Sequence, residues 1–363
     1  MTSATCPRAN RALLVAVIML AGGAAGCNGG AASPPPFTTG TPAPSLTPTP
    51  SPAPTPTPPP APSTITEYSS GISAASLPTD ITAGPDGALW FTELTARIGR
   101  ITTSGVVTEF SNPALGPYHP SEIVAGPDGA LWFTNIFLGS GDASQIGRIA
   151  VDGTTTLYRS GITQGNSTGG ITTGPDGALW FTEDNVDRVG RITTGGSVTE
   201  FPVMSQSGRK RIATGQDGAL WFTVNGTPKG IGRITTAGTV TFFSAGLTPG
   251  ALPFGITSGP DGALWFTEQA VNKIGRITTG GVITEFAHPS ISAPSHITVG
   301  ADGALWFTNS APPESIGRIT TAGVVSSFSS GLTPLTMPLG IAQGPDGAIW
   351  FAEQTGNRIG RLH

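Results

Sequence analysis

The residues of this chain best suited to chemistry are those that interrupt a repeating background. His296, His119 and Glu122 each stand alone at a position that recurs elsewhere with other residues. So does the basic triplet Arg209-Lys210-Arg211, and Asp80 opens a further unit with a carboxylate. An imidazole titrates near neutrality and can serve as a general base. A carboxylate offers hard oxygen ligands that suit a cation such as Mg2+. His296 and Glu353 fall in neighbouring units, and a fold that juxtaposes them would let them share a substrate or a cation. This makes both candidate catalytic residues and Glu353 a candidate metal ligand. Asp80, His119, Glu122 and Glu268 are candidate binding groups. Each also has a plainer reading. A histidine at a strand entry serves as hydrogen-bonded scaffold, and a glutamate that recurs with the unit pairs with nearby backbone or arginine.

The background is a sevenfold repeat. Asp-Gly-Ala-Leu-Trp-Phe, with small changes, begins at Asp86, Asp128, Asp176, Asp217, Asp261, Asp302 and Asp346, at spacings of 42, 48, 41, 44, 41 and 44 residues. Each copy holds one of the seven tryptophans and is followed by Ile-Gly-Arg or Val-Gly-Arg, ending at Arg100, Arg148, Arg191, Arg233, Arg276, Arg318 and Arg361. A period of 40–45 residues suits the four-stranded blade of a β-propeller. In the first unit the pattern predicts strands at 80–83, 88–93, 98–102 and 106–110, with an Asp-Gly turn closing the first hairpin. No stretch carries a useful helical period, so the domain is expected to be all-β. The seventh unit stops after its third strand, while Ile65-Thr66-Glu67-Tyr68 stands alone ahead of the first. The N-terminal segment is therefore expected to supply the missing strand and close a seven-bladed ring, which removes open sheet edges.

Chain direction sorts the loops. The short Gly-Pro-Asp-Gly and Thr-Thr-Ser-Gly turns fall on one face, and the longer, more variable connections, such as 111–122, 135–145 and 244–255, on the other. Variable loops on a repeated scaffold are where binding specificity is placed. A small-molecule or peptide ligand is expected at the mouth of the central channel on that face. The seven turn aspartates and seven Gly-Arg arginines occur in every unit and read as scaffold.

Composition limits the alternatives. Of 363 residues only 11% are charged, and the net charge is −4. One basic triplet is too small an electrostatic footprint for a nucleic-acid-binding protein. Two cysteines, Cys6 and Cys27, exclude a disulfide scaffold. Residues 1–27 read as an export signal: Arg8 and Arg11 precede the apolar stretch 12–20, and Ala24-Ala25-Gly26-Cys27 resembles a bacterial lipobox. Lipidation of Cys27 would anchor the chain to a membrane of the cell envelope. Without it, the protein would be secreted. Residues 28–64 form a Pro/Thr/Ser-rich linker, with 14 of the 34 prolines between Ala31 and Thr64, composed as a disordered, semi-rigid spacer. The propeller is assigned to 65–363, and a monomer is expected.

The units, of the form GPDGALWFTE…IGRITT.G.VTEF, resemble those of the virginiamycin B lyase (streptogramin lyase) family from Ile65 to Leu362. The resemblance implies a seven-bladed propeller and a Mg2+-dependent elimination that linearises a cyclic depsipeptide at its ester bond. In that family the seventh blade opens Glu-Pro-His-Gly-Ile, with the glutamate on the metal and the histidine as base. This chain reads Met337-Pro338-Leu339-Gly340-Ile341, with Gln354 in place of the final carboxylate, and its sixth blade reads Pro294-Ser295-His296-Ile297, the histidine shifted by one. Two readings stand: a lyase-like enzyme with a rearranged site, and a cell-surface propeller that binds a ligand or protein without chemistry.

Overall fold

The computed structural model describes residues 64–363 apart from 138–143, 166, 204–207, 209 and 210. The expected export signal, Cys27 and all but Thr64 of the expected linker lie outside the described residues, as do Arg209 and Lys210. Seven antiparallel four-stranded sheets follow one another in chain order. The first consists of Pro78–Ala83, Leu89–Glu93, Arg97–Ile101 and Val107–Ser111. The last consists of Pro338–Gln343, Ile349–Glu353 and Arg358–Leu362, completed by the N-terminal strand Ile65–Tyr68. That strand runs antiparallel to the last one, with Ile65 opposite Leu362 and Tyr68 opposite Ile359, so the ends of the domain seal one blade. This is the seven-bladed propeller expected from the repeat. Helical structure among the described residues is confined to two single 3-10 turns, Pro113–Leu115 and Gln269–Val271.

The repeated string builds each blade by one set of contacts. In the first blade Trp90 is fully buried and stacks on Phe110 of the outermost strand, with centroids 5.2 Å apart. Its indole Nε1 donates to Asp86 Oδ1 at 3.0 Å, while Arg100 Nε donates to Asp86 Oδ2 at 2.6 Å. The same indole–carboxylate–guanidinium triad recurs in the other six blades. It joins the turn, the second strand and the third strand, which accounts for the turn aspartates and Gly-Arg arginines as scaffold. The glycine before each of these arginines is a close approach. A Cβ at Gly99 would lie 2.0 Å from the Phe91 ring, so the second strand's phenylalanine fits only over a glycine.

A fourth repeated residue shapes the channel. The threonine of the second strand accepts from the backbone N–H of the residue before the inner-strand isoleucine, as Thr92 Oγ1 does from Asp80 N at 3.1 Å. It then donates to a carbonyl of the next blade, Ser121 O, at 2.6 Å. The inner strand shifts register at this point, between Pro78 and Ile81, and equivalent shifts occur in blades two, three, five, six and seven. Such a bulge re-aims a side chain. In these six blades it presents one residue to the central channel, and Arg211 takes the same place in blade four, its N–H held by Thr223 Oγ1.

Candidate functional site

The residues so presented form a collar around the channel: Asp80, Glu122, Gly170, Arg211, Gly255, His296 and Gly340 from blades one to seven. Backbone N–H groups of the first six are held by threonines of their own blades. Three collar positions are glycines because there is no room for more. A Cβ at Gly340 would lie 2.4 Å from Asp80 Cα, and one at Gly255 2.6 Å from Ser295 O. The other four bring every ionisable collar side chain into one cluster. Arg211 is ion-paired with Glu122, and His296 Nε2 stands 3.7 Å from Glu122 Oε1. Asp80 Oδ2 accepts from Ile123 N–H at 3.0 Å. His296 Nδ1 lies 3.1 Å from Ser295 Oγ, and its ring meets Phe254 edge-on, with centroids 5.6 Å apart.

Burial dominates the electrostatics. It pushes Asp80 up to about 6, with the Arg211 charge and the Ile123 and Ile81 N–H groups opposing the rise. It lowers Arg211 to about 10, against the attraction of Asp80, and the guanidinium stays protonated at neutral pH. Burial, assisted by Arg211, drives His296 well below its ordinary 6.5, so its imidazole is neutral.

The collar separates two spaces. Below it lies a channel cavity of about 230 Å3, lined by the inner strands. Above it, at the loop face, opens a mouth cavity of about 480 Å3. Arg211 and His296 line both. The mouth is walled by apolar Leu94, Ile136, Phe254, Met337 and Leu339, with His119, Gln269 and Gln354 as polar groups. His119 Nδ1 is tied to Leu94 O at 2.6 Å.

The fold thus brings Asp80, Glu122 and His296 together and places His119 above them, but it puts Glu353 and Glu268 elsewhere. Both sit fully buried inside their blades, and neither is among the residues lining either cavity. Glu353 faces Glu67 of the sealing strand, and Glu268 faces Glu285; burial first, and the facing carboxylate second, push each up to about 8. Glu93 behaves identically against Glu109. In sequence Arg211 stands in a basic triplet and also, like Asp80, Glu122 and His296, just before a first strand. Its place opposite two acidic collar residues follows from the repeat register, since it precedes Ile212 as Asp80 precedes Ile81 and Glu122 precedes Ile123.

A Mg2+ ion of the kind the resemblance implies would require oxygen donors around Met337, Leu339 and Gln354. Among the described residues that line the mouth there is no carboxylate, and a thioether and an isobutyl group are not ligands for a hard cation. These residues do not fit the ion.

Comparison with known proteins places the chain. A family model described as the virginiamycin B lyase family matches residues 62–209, 135–296 and 204–363. A streptogramin B lyase structure is 36% identical, with a TM-score of 0.75 over 83% of this chain and 98% of the other. Selenomethionine-substituted virginiamycin B lyase from Staphylococcus aureus is 37% identical, with a TM-score of 0.74 over 83% and 99%. A catalytically inactive histidine-to-alanine form of the Staphylococcus aureus enzyme with quinupristin matches at the same identity, TM-score and coverage. A search of curated proteins returns no match. The matched model spans the whole propeller and the solved structures agree with it over nearly their full length: the chain belongs to the virginiamycin B lyase family.

Proposed function

We propose that this protein is an exported, lipid-anchored propeller that binds a compact, partly apolar small molecule or peptide at its mouth without the elimination chemistry of the lyases it resembles. The observation that carries this reading is the lining of the mouth cavity. Met337 and Leu339 stand where the resemblance implies a metal ligand and a base, Gln354 stands in place of the final carboxylate, and Glu353 is turned into its blade. Five apolar walls with a few convergent polar groups are the usual make-up of a small-molecule pocket.

The test is incubation of the purified protein with a streptogramin B depsipeptide, with and without Mg2+, followed by chromatographic separation of cyclic from linear forms. Saturable binding of the intact ring with no linear product is expected, and binding is lost in Leu339→Arg, which fills the cavity. Mg2+-dependent linearisation by the wild-type chain would overturn the reading in favour of a rearranged active site.

A second reading has one specific observation in its favour. His296 Nε2 has no hydrogen-bond partner and points into the cluster, as a base awaiting a substrate would. If His296 were that base, His296→Ala would abolish linearisation found in the wild type.

A further inference from the structure

Glu122, Asp80 and His296 belong to three different blades, yet one ligand atom from each lies within 4.8 Å of the other two. Four features suit the group to a cation. His296 is more than nine-tenths buried, its Nε2 lacks a hydrogen-bond partner, and it is aimed at Glu122 Oε1. Its other nitrogen is oriented by Ser295 Oγ, the kind of outer contact that fixes the tautomer of a metal-binding histidine. Asp80 commits Oδ2 to the Ile123 N–H, which leaves Oδ1 free of that bond. The backbone beneath each of the three is locked by a threonine hydroxyl of its blade.

We propose that the collar is a binding site for one divalent first-row transition ion, held by Asp80, Glu122 and His296, with its open position facing the channel cavity. Two carboxylates and one imidazole form a mixed oxygen and nitrogen set, which suits Zn2+ or Mn2+ better than Mg2+. Three protein ligands with an open position are the usual make-up of a non-structural zinc site. At bond lengths of about 2.0–2.2 Å, tetrahedral ligand atoms lie about 3.4 Å apart. The 3.7 Å between His296 and Glu122 is close to that value, and a ligand atom of Asp80 lies within 4.8 Å of both.

Arg211 is the competitor. Without an ion, its guanidinium supplies the positive charge beside the carboxylates and is ion-paired with Glu122. It also has an alternative seat, since it already lies over the Phe254 ring at 4.8 Å. An arriving cation takes Glu122 from Arg211. The two positive charges then repel, so the wild-type site is weaker than its ligand set alone would make it. Asp80 and Glu122 line the channel cavity and not the mouth, while His296 and Arg211 line both, so the ion's open position faces the channel side.

The probe is Zn2+ alone, in equilibrium dialysis against the full chain, with intrinsic tryptophan fluorescence confirming the fold of every variant. One zinc per wild-type chain is expected. His296→Ala should bind at least about tenfold more weakly, and Arg211→Met at least about tenfold more tightly, through removal of a like charge. Asp80→Asn, nearly isosteric and still able to accept from Ile123, should also weaken binding, and it carries the test if His296→Ala does not fold. No stoichiometric zinc in the wild type would overturn the proposal, even if Arg211→Met binds it. So would an affinity unchanged by both His296→Ala and Asp80→Asn, which would assign the zinc to surface histidines.

Discussion

Under the proposed function, Met337 and Leu339 decide what the mouth can do, because a thioether and an isobutyl group can neither ligate Mg2+ nor take a proton. The scaffold beneath them is intact: Pro338 and Glu353 face each other in register, and Gly340 occupies its collar position. Activity is therefore expected to be recoverable at single residues. The triple variant Met337→Glu, Leu339→His, Gln354→Glu should acquire Mg2+-dependent linearisation of a streptogramin B depsipeptide that, on the proposed function, the parent does not perform. Chromatography of the product checks this, and a triple variant that folds yet makes no linear product would show that further groups are needed. The collar residues were legible in sequence because they break a repeat whose other members are glycine. Glu353 was not legible as a core group. Its position at the end of a strand placed it at the mouth, whereas the pleat turns its carboxyl inward against Glu67, a residue 286 positions away that only closure of the ring brings near.

At the level of strands, buried glutamates form an alternating system. Blades one, five and seven each pair a second-strand glutamate with an outer-strand glutamate: Glu93 with Glu109, Glu268 with Glu285, and Glu353 with Glu67. The outer partner accepts from a loop Ser or Thr and faces an Arg or Lys, as Glu285 does with Thr248 and Lys273. Outer-strand Glu200 of blade three makes the same contacts with Thr163 and Arg188. In the even-numbered blades the second-strand position is Asn135, Val224 or Asn309.

Each inner carboxyl ionises near 4.5 when exposed and near 8 in the fold. Between those values the folded chain holds a proton that the unfolded chain has lost. Stability is therefore full below that window, falls as pH rises through it, and levels off above it, by up to about 1.4 kcal/mol per pH unit for each group. The turn aspartates act oppositely. Despite the burial that raises them, their Trp and Arg hydrogen bonds hold them below 3.8, so they lose stabilisation on acidification. Thermal melting is expected to peak near about pH 5 and to decline toward pH 8. Glu93→Gln, which keeps a neutral donor toward Glu109, should reduce the decline by the share of one such group. A melting temperature flat from pH 5 to 8 would contradict the pairing.

For the whole molecule, closure and tethering are the properties at issue. Deleting residues 65–68 bares the edge of the last blade and should prevent folding or lower melting by tens of degrees. Deleting 34–62 should leave the propeller's melting unchanged. Equal melting of the two deletions would contradict the seal. Cys27→Ser should move the protein from the membrane to the soluble fraction, as fractionation of expressing cells would show. Blade number and closure were readable because a strand missing at one end and surplus at the other has one economical solution. The collar's chemistry was less so, because its members come from four separate blades and meet only across a closed ring.

The seal also has a mechanical consequence. The tract ahead of Thr64 joins the propeller at Ile65, the first residue of the strand that closes the ring. Any pull exerted through an anchored N-terminus therefore arrives at the seam before it reaches another blade. That strand is braced accordingly. Ile65 is buried, and its N–H donates to Ser330 O at 2.9 Å. The Glu67 carboxylate is gripped by the Thr333 N–H and hydroxyl and by Arg358. If the proposed anchor holds, tether and clasp are in series, and a pull from the N-terminus is borne first by one four-residue strand and its single carboxylate pin.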